Sequence, residues 1–177
     1  MNRKKIKIAV LLDQNTGNRC VLKGFMEMLE RESNIETVCI SYPLEKQKNL
    51  IGEIKALRPD LLITADLSGF EQCTLTDNVS YNLLDCKQLH LLLHEKLPNE
   101  QYLKKQQSIA MFFYCAGSAY YEYLHKYYPH LPYLKEMPGW QFERNEKAVN
   151  KNAEILYGVF LEVLHECGKC KLGGDQQ

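Results

Sequence analysis

Three short apolar runs, separated by helical patterns, limit most what this chain can fold into. They are IKIAVLLD from Ile6 to Asp13, IETVCISY from Ile35 to Tyr42, and DLLITA from Asp60 to Ala65. Runs this short and this apolar at consecutive positions read as buried strands. The first is stopped by the polar loop Gln14-Asn15-Thr16-Gly17-Asn18-Arg19 and the second by Pro43. Between them Val21, Leu22, Phe25, Met28 and Leu29 recur at helical spacing, with Glu27, Glu30 and Arg31 on the far side. Leu50, Ile54 and Leu57 mark a second helix, which Pro59 ends because the residue before a proline avoids the helical region. Strand, helix, strand, helix, strand at this rhythm specifies right-handed βαβ units and a parallel sheet.

The rest of the chain is less uniform. Glu71 to Asp85 is polar and carries no period. DCKQLHLLLHEKLP, from Asp85 to Pro98, supports two readings. As a helix, Asp85 and Gln88 form a capping pair, Leu89, Leu92, Leu93 and Leu97 the stripe, and Pro98 the stop. As a strand, Leu89 to Leu93 is the buried run and His94-Glu95 its polar exit. Propensity favours the helix and the rhythm of the sheet favours the strand. Ser108 to Cys115 reads as a further strand, broken by Ala116-Gly117-Ser118. Tyr120, Leu124, Tyr127 and Leu131 then share a helical face, up to the proline-rich piece YPHLPYLKEMPGW. The last helix runs from about Glu146 to His165, with Ile155, Val159 and Val163 in one row and Leu156, Phe160 and Leu164 in the next.

The expected architecture is a single doubly wound α/β domain over residues 1–177. It is Rossmann-like or flavodoxin-like, with a mostly parallel sheet of about five strands and helices on both faces. Residues 168–177, with Gly173-Gly174, are expected to form a frayed tail.

Composition narrows the function. At 177 residues the chain suits one domain that buries roughly 70% of its unfolded surface. Lys plus Arg equals Asp plus Glu at 22 each, so no electrostatic stripe supports nucleic-acid binding. No apolar run approaches the length of about 18 residues that a membrane-spanning helix needs, and Ile8 to Leu12 is too short for a signal-peptide core. The seven cysteines are an odd count, and Cys20, Cys39, Cys86 and Cys115 sit inside apolar segments. They read as small buried hydrophobes in a reducing compartment, and the expected location is the cytoplasm.

In an open parallel sheet, ligands bind in the crevice outside the carboxyl ends of the strands. The residues leaving the strands are Asp13, Asn15, Thr16, Gly17, Asn18 and Arg19, then Ser41 and Tyr42, then Asp66, Ser68 and Gly69. His94 and Glu95 join them if Leu89 to Leu93 is a strand, and Ser118 follows the next. Ordinary strand-end loops collect polar residues too, so position alone makes them candidates only. Gly17 near a helix start offers backbone N–H groups and a positive dipole end to a phosphate, with Arg19 placed to pair with the anion. The loop matches neither the dinucleotide nor the P-loop fingerprint. Asp66 and Asp13 are the candidate acid/base or metal-holding groups, and His94 the candidate proton carrier near neutral pH.

Two further motifs have metal spacing without a full ligand set. His90 and His94 stand in an HxxxH arrangement that a helix would turn to one side, and Cys167 and Cys170 form one isolated CxxC. Neither leads to an assigned metal site. The expected ligand is a small molecule bearing a nucleotide or a sugar, with no cofactor specified. The rival expectation is a non-catalytic signalling or interaction module. Its tyrosine-rich helix and the Trp140 turn would then dock a protein partner or a second copy.

RPDLLITADLSGF resembles a segment in the N-terminal half of GT-B glycosyltransferases of the lipid II N-acetylglucosaminyltransferase and lipid A disaccharide synthase type. LLLHE, Leu91 to Glu95, and the glycine-bearing loop DQNTGNR are similar to theirs as well. The resemblance covers roughly Lys5 to Trp140 and implies the acceptor-side half of such an enzyme. A lone copy of that half implies a partner chain or a lost activity. The same segment also resembles the third strand of two-component receiver domains, which implies phosphorylation of Asp66 and help from Asp13 in holding Mg²⁺. Here the first strand ends in Asp13-Gln14 instead of an acidic pair, and no lysine follows SIAMFFYC where receivers place one.

Overall fold

The computed structural model describes residues 5–13, 18–42, 50–65, 85–93, 111–129 and 133–168. In chain order these form β1 (Ile6–Asp13), α1 (Arg19–Leu29), β2 (Ile35–Tyr42), α2 (Leu50–Leu57), β3 (Leu61–Ala65), β4 (Lys87–Leu92), β5 (Met111–Cys115), α3 (Ser118–Tyr127), β6 (Leu134–Glu136) and α4 (Glu146–Glu166). The six strands make one sheet in the order β2-β1-β3-β4-β5-β6, and every neighbouring pair is parallel. This is the Rossmann-like, flavodoxin-like α/β class that the sequence rhythm specifies, with six strands in place of about five.

The connection from β1 to β2 runs toward one edge, whereas β2 to β3 and β5 to β6 run toward the other. Right-handed crossovers therefore divide the helices between the two faces. On one face α1 and α4 cover Ile8, Val10, Leu12, Leu61, Ile63, Leu89, Leu91, Phe112 and Tyr114. On the other α2 and α3 share a core with Ala9, Leu11, Leu62, Leu92, Phe113 and Cys115. Both faces of the central strands are apolar because both are buried, which is why the runs read as continuous.

Helices α1 and α4 approach closely where α1 carries Gly24. A Cβ built there would lie 3.4 Å from the Cβ of Ala153. Phe25 and Phe160, both fully buried, meet edge to face with ring centroids 6.0 Å apart. Burying rings of this size stabilises by about 1.5–3 kcal/mol each. The long helix is also well started: the Asn145 side chain accepts from the Ala148 amide at 2.9 Å and Glu146 sits in the first turn.

Three sequence expectations are resolved here. DCKQLHLLLHEKLP contributes a strand, β4, so the helical HxxxH face does not form. The tyrosine-rich helix turns Leu124 and Tyr128 inward and leaves Tyr127 56% exposed, so Tyr127 is not on the buried face. The proline-rich piece contains β6, which carries no apolar run. It is held by backbone bonds from Phe113 N to Tyr133 O (3.1 Å) and from Met137 N to Cys115 O (2.7 Å), and by the Tyr133 ring stacked 4.7 Å from Phe112.

Candidate functional site

The carboxyl edge of the sheet is defined by the ends of β1 at Asp13, β2 at Tyr42, β3 at Ala65, β4 at Leu92 and β5 at Cys115. Between β1 and β3 the strand order reverses, since the chain leaves β1 toward β2 and leaves β3 toward β4. That reversal is a topological switch point, where the connections part and open a crevice above the sheet.

Two helix N-termini at this edge have no side-chain cap from their own N-cap residue. Helix α1 starts from Asn18, whose carbonyl accepts from Leu22 N at 3.0 Å, while its side chain makes no capping bond and no acidic residue lies in the first turn. Helix α3 starts from Gly117, which has no side chain to offer, and its first turn is also free of acids. Helix α4, in contrast, is capped by Asn145 and Glu146. The first N–H groups of an uncapped helix keep a partial positive charge that favours anions. Arg19 and Ser118, the first residues of α1 and α3, are both exposed.

Among the predicted residues, Asp13, Asn18, Arg19 and Ser118 therefore lie at one edge of one sheet. Asp66, the residue after β3, and His94 and Glu95, which follow β4, lie outside the described residues, as do Asn15, Thr16, Gly17, Ser68 and Gly69. Trp140 is half-buried against the core shared by α1 and α4, and it follows a turn with Gly139 at φ 80°. Phe142, 45% exposed, comes near the start of α3: a Cβ on Gly117 would meet its ring at 3.8 Å. No single-residue pattern marks Phe142 for this place, because the loop that carries it is positioned by α4.

His90 is not a site residue. It is wholly buried on β4, with Nδ1 2.7 Å from Thr64 Oγ1 and Nε2 3.2 Å from Gln88 Oε1. Its ring lies 5.0 Å from that of Phe113. Burial lowers its pKa to about 3, so the imidazole is neutral at ordinary pH. Gln88 Oε1 can only accept, so Nε2 carries the proton and the Thr64 hydroxyl donates to Nδ1.

No disulfide joins any two of the described cysteines, and burial pushes Cys115 up to about 12, with Glu136 adding to the effect. Burial also raises Cys39, against the opposing charge of Arg19. Among the described residues no group of three or more His, Cys, Asp or Glu is arranged to hold a metal ion, and no helix is long and apolar enough to cross a membrane. A shallow depression of about 610 Å³ lies along the outward side of α4, lined by Gln141, Glu146, Lys147, Asn150, Lys151 and Glu154. Its charges are mixed, and Lys151 pairs with Glu154 at 3.6 Å. Comparison with protein-family models, with curated proteins and with solved structures finds no match.

Proposed function

We propose that the protein binds a small anionic molecule, of the nucleotide or phosphorylated-sugar class, in the crevice at the carboxyl edge between β1 and β3. The observation that carries this reading is the reversal of strand order between β1 and β3, with the uncapped start of α1 on the connection that leaves β1. Such a switch point is where open α/β sheets hold ligands. In this reading the phosphate meets the first N–H groups of α1 and the guanidinium of Arg19. Asp13 and Asp66 hold a cation or move a proton, and His94 serves as the proton carrier. Asn15, Thr16, Gly17, Asn18, Ser68, Gly69, Glu95 and Ser118 line the rim. A glycosyltransferase-related half is the finer version of the same reading.

A thermal-shift panel of ADP, ATP, UDP and UDP-N-acetylglucosamine, with and without Mg²⁺, tests it. A ligand at 100 times its Kd stabilises by about 2.7 kcal/mol, which for a chain of this size is a rise of roughly 5 °C or more. The rise should disappear in Arg19→Ala and weaken in Asp13→Asn. An unchanged melting temperature across the panel removes the reading.

A second reading, an interaction module, is favoured by the exposed rings of Tyr127 and Tyr133, at 56% and 49%. Tyr127 lies 4.8 Å from Tyr123, with Lys126 Nζ 5.1 Å above its ring. Large exposed aromatic rings are enriched at protein contacts. Concentration-dependent association that is lost in Tyr127→Ser with Tyr133→Ser supports this module, and a monomer at all concentrations argues against a homodimer. The first five strands also share the β2-β1-β3-β4-β5 order of receiver domains. Labelling by acetyl phosphate that disappears in Asp66→Asn is the result that would favour a receiver.

A further inference from the structure

The sheet has two edges, and they are built differently. At one, β6 is three residues long and carries Lys135 and Glu136, with Lys135 paired to Glu162 and Glu166 of α4. A short, charged strand blunts an edge against further pairing. At the other, β2 is eight residues long, IETVCISY, and Glu36 is its single charged residue. Among the described residues no strand pairs with its outer side.

The hydrogen bonds fix what that side presents. Ile6 N–H donates to the Asn34 carbonyl at 2.8 Å, whereas the carbonyl of the next residue, Lys7, accepts from Asp60 N at 2.7 Å. Residues of β1 therefore turn alternately to β2 and to β3. With Ile6 opposite Ile35, the backbone groups of Glu36, Val38 and Ile40 bond to β1. Those of Thr37, Cys39 and Ser41 point outward, and among the described residues nothing bonds to them. The set has definite ends. The Ile35 N–H already donates to the Glu32 carbonyl at 3.1 Å, and position 43 is a proline, which has no N–H. Its centre is Cys39, which is exposed, so the edge is open at that point.

We propose that this edge joins two copies of the chain, each β2 running antiparallel to the other across a two-fold axis at Cys39. The pairing sets Thr37 opposite Ser41 of the second copy, and every outward N–H and C=O of the three residues gains a partner. Moving the axis to Val38 would call on the Ile35 N–H, which Glu32 already holds. Moving it to Ile40 would set Thr37 opposite position 43, where proline cannot donate. A donor set that is symmetric about its own middle residue is matched by an identical strand, which is why the occupant is a second copy. On the α2 and α3 side, where Ile40 lies, the same register places Val38 of each copy against Ile40 of the other, an apolar pair on both sides of the axis. Glu36, held by Lys7 at 3.5 Å, would lie about 20 Å along the strand from its own copy. With 22 basic and 22 acidic residues, the two chains have no net charge to repel each other. The interface is independent of the crevice between β1 and β3 and of the exposed Tyr127 and Tyr133 rings.

Sedimentation velocity of the full chain in reductant, across micromolar concentrations, should show a monomer–dimer equilibrium. Cys39→Lys sets two ammonium groups opposite each other and should weaken association by about tenfold or more, while Cys39→Ser should leave it unchanged. Mixing Cys39→Lys with Cys39→Glu should restore association, because a two-fold axis at this residue brings the opposite charges together. Tyr127→Ser with Tyr133→Ser should keep the dimer, which separates this edge from the aromatic surface. In the native chain, amide exchange at Thr37, Cys39 and Ser41 should slow as concentration rises, a readout that needs no variant. A monomer throughout, a dimer that Cys39→Lys does not weaken, or exchange at those three amides that is independent of concentration overturns the proposal.

Discussion

The side-chain amide of Asn152 closes on both backbone groups of Gln141, accepting from its N–H at 2.9 Å and donating to its carbonyl at 2.6 Å. Asn152 is 3% exposed on α4, and Gln141 lies between Trp140 and Phe142 in the segment that leads from β6 to that helix. One buried side chain thus fixes the segment that brings Phe142 to the start of α3.

Removing this clamp leaves the part-buried carbonyl and N–H of Gln141 unmatched. Asn152→Leu should therefore cost about 2–3 kcal/mol in urea unfolding. Asn152→Asp keeps the acceptor and loses the donor, setting a carboxylate against the Gln141 carbonyl. It should be at least as damaging at neutral pH and partly recover in mild acid, where the protonated carboxyl can donate again. Equal stability of all three proteins would mean that the clamp contributes nothing.

Gly24 offers the opposite kind of test. Its hypothetical Cβ sits 3.4 Å from Ala153, at the limit of ordinary contact. Gly24→Ala gains helix propensity, up to about 1 kcal/mol, and should be neutral to stabilising. Gly24→Leu cannot be placed without driving α1 off α4, and a loss of about 1–3 kcal/mol is expected from overpacking. Thermal melts of the pair decide whether close approach of the two helices is what this glycine permits.

The buried imidazole of His90 makes stability fall in acid. Its folded pKa is about 3 and its unfolded value about 6.5, so between these limits the unfolded chain binds the extra proton. Stability then rises with pH across that window and is fully present above about pH 6.5. Its slope from this group approaches 1.4 kcal/mol per pH unit, about the largest one site can contribute. His90→Leu in a Thr64→Val and Gln88→Leu background should lose this component. Urea unfolding at pH 7.0, 6.0 and 5.0 measures it, and parallel curves for the two proteins would contradict it.

These relationships differ in how far they can be read from residues alone. The carboxyl-edge positions of Asp13, Asn18, Arg19 and Ser118 follow from where apolar runs stop, because a parallel sheet collects strand exits on one side. β6 has no such mark. LKE is neither apolar nor alternating, and the strand exists through distant partners: the Phe112 ring, the Cys115 carbonyl, and Glu162 and Glu166 on α4, which pair with Lys135. In the α3 segment tyrosines follow one another too densely in sequence to mark one face, so periodicity leaves its phase open until Leu124 and Tyr128 are seen inside. Gln88 and His90 look like polar exceptions in a leucine run. Their meaning lies in Thr64, which is 26 residues from His90 in sequence.

At alkaline pH the sign reverses, and Tyr114 supplies the reason. Its ring is 1% exposed, and its hydroxyl faces Glu162 without closing a hydrogen bond of regular geometry. Burial first, then the Glu162 and Glu166 carboxylates, push its pKa well above the ordinary tyrosine value. The folded chain therefore keeps this proton above about pH 10, where the unfolded chain has released it. Stability must fall as pH rises through that region. Tyr157, raised to about 12 by burial and by its hydrogen bond to Glu32, acts in the same direction. The phenolate absorbance of Tyr114 should appear only together with unfolding. Tyr114→Phe should reduce this alkaline loss to the part that Tyr157 supplies and, since the hydroxyl has no regular partner, should be neutral to about 1 kcal/mol stabilising at pH 7. Glu162 is held below its usual range first by Lys135 and also by the Tyr114 hydroxyl, so in the variant its pKa by NMR should rise in part yet stay low, which serves as the control for an intact contact between Lys135 on β6 and α4. A Tyr114→Phe protein less stable at pH 7 would show that the hydroxyl contributes a hydrogen bond.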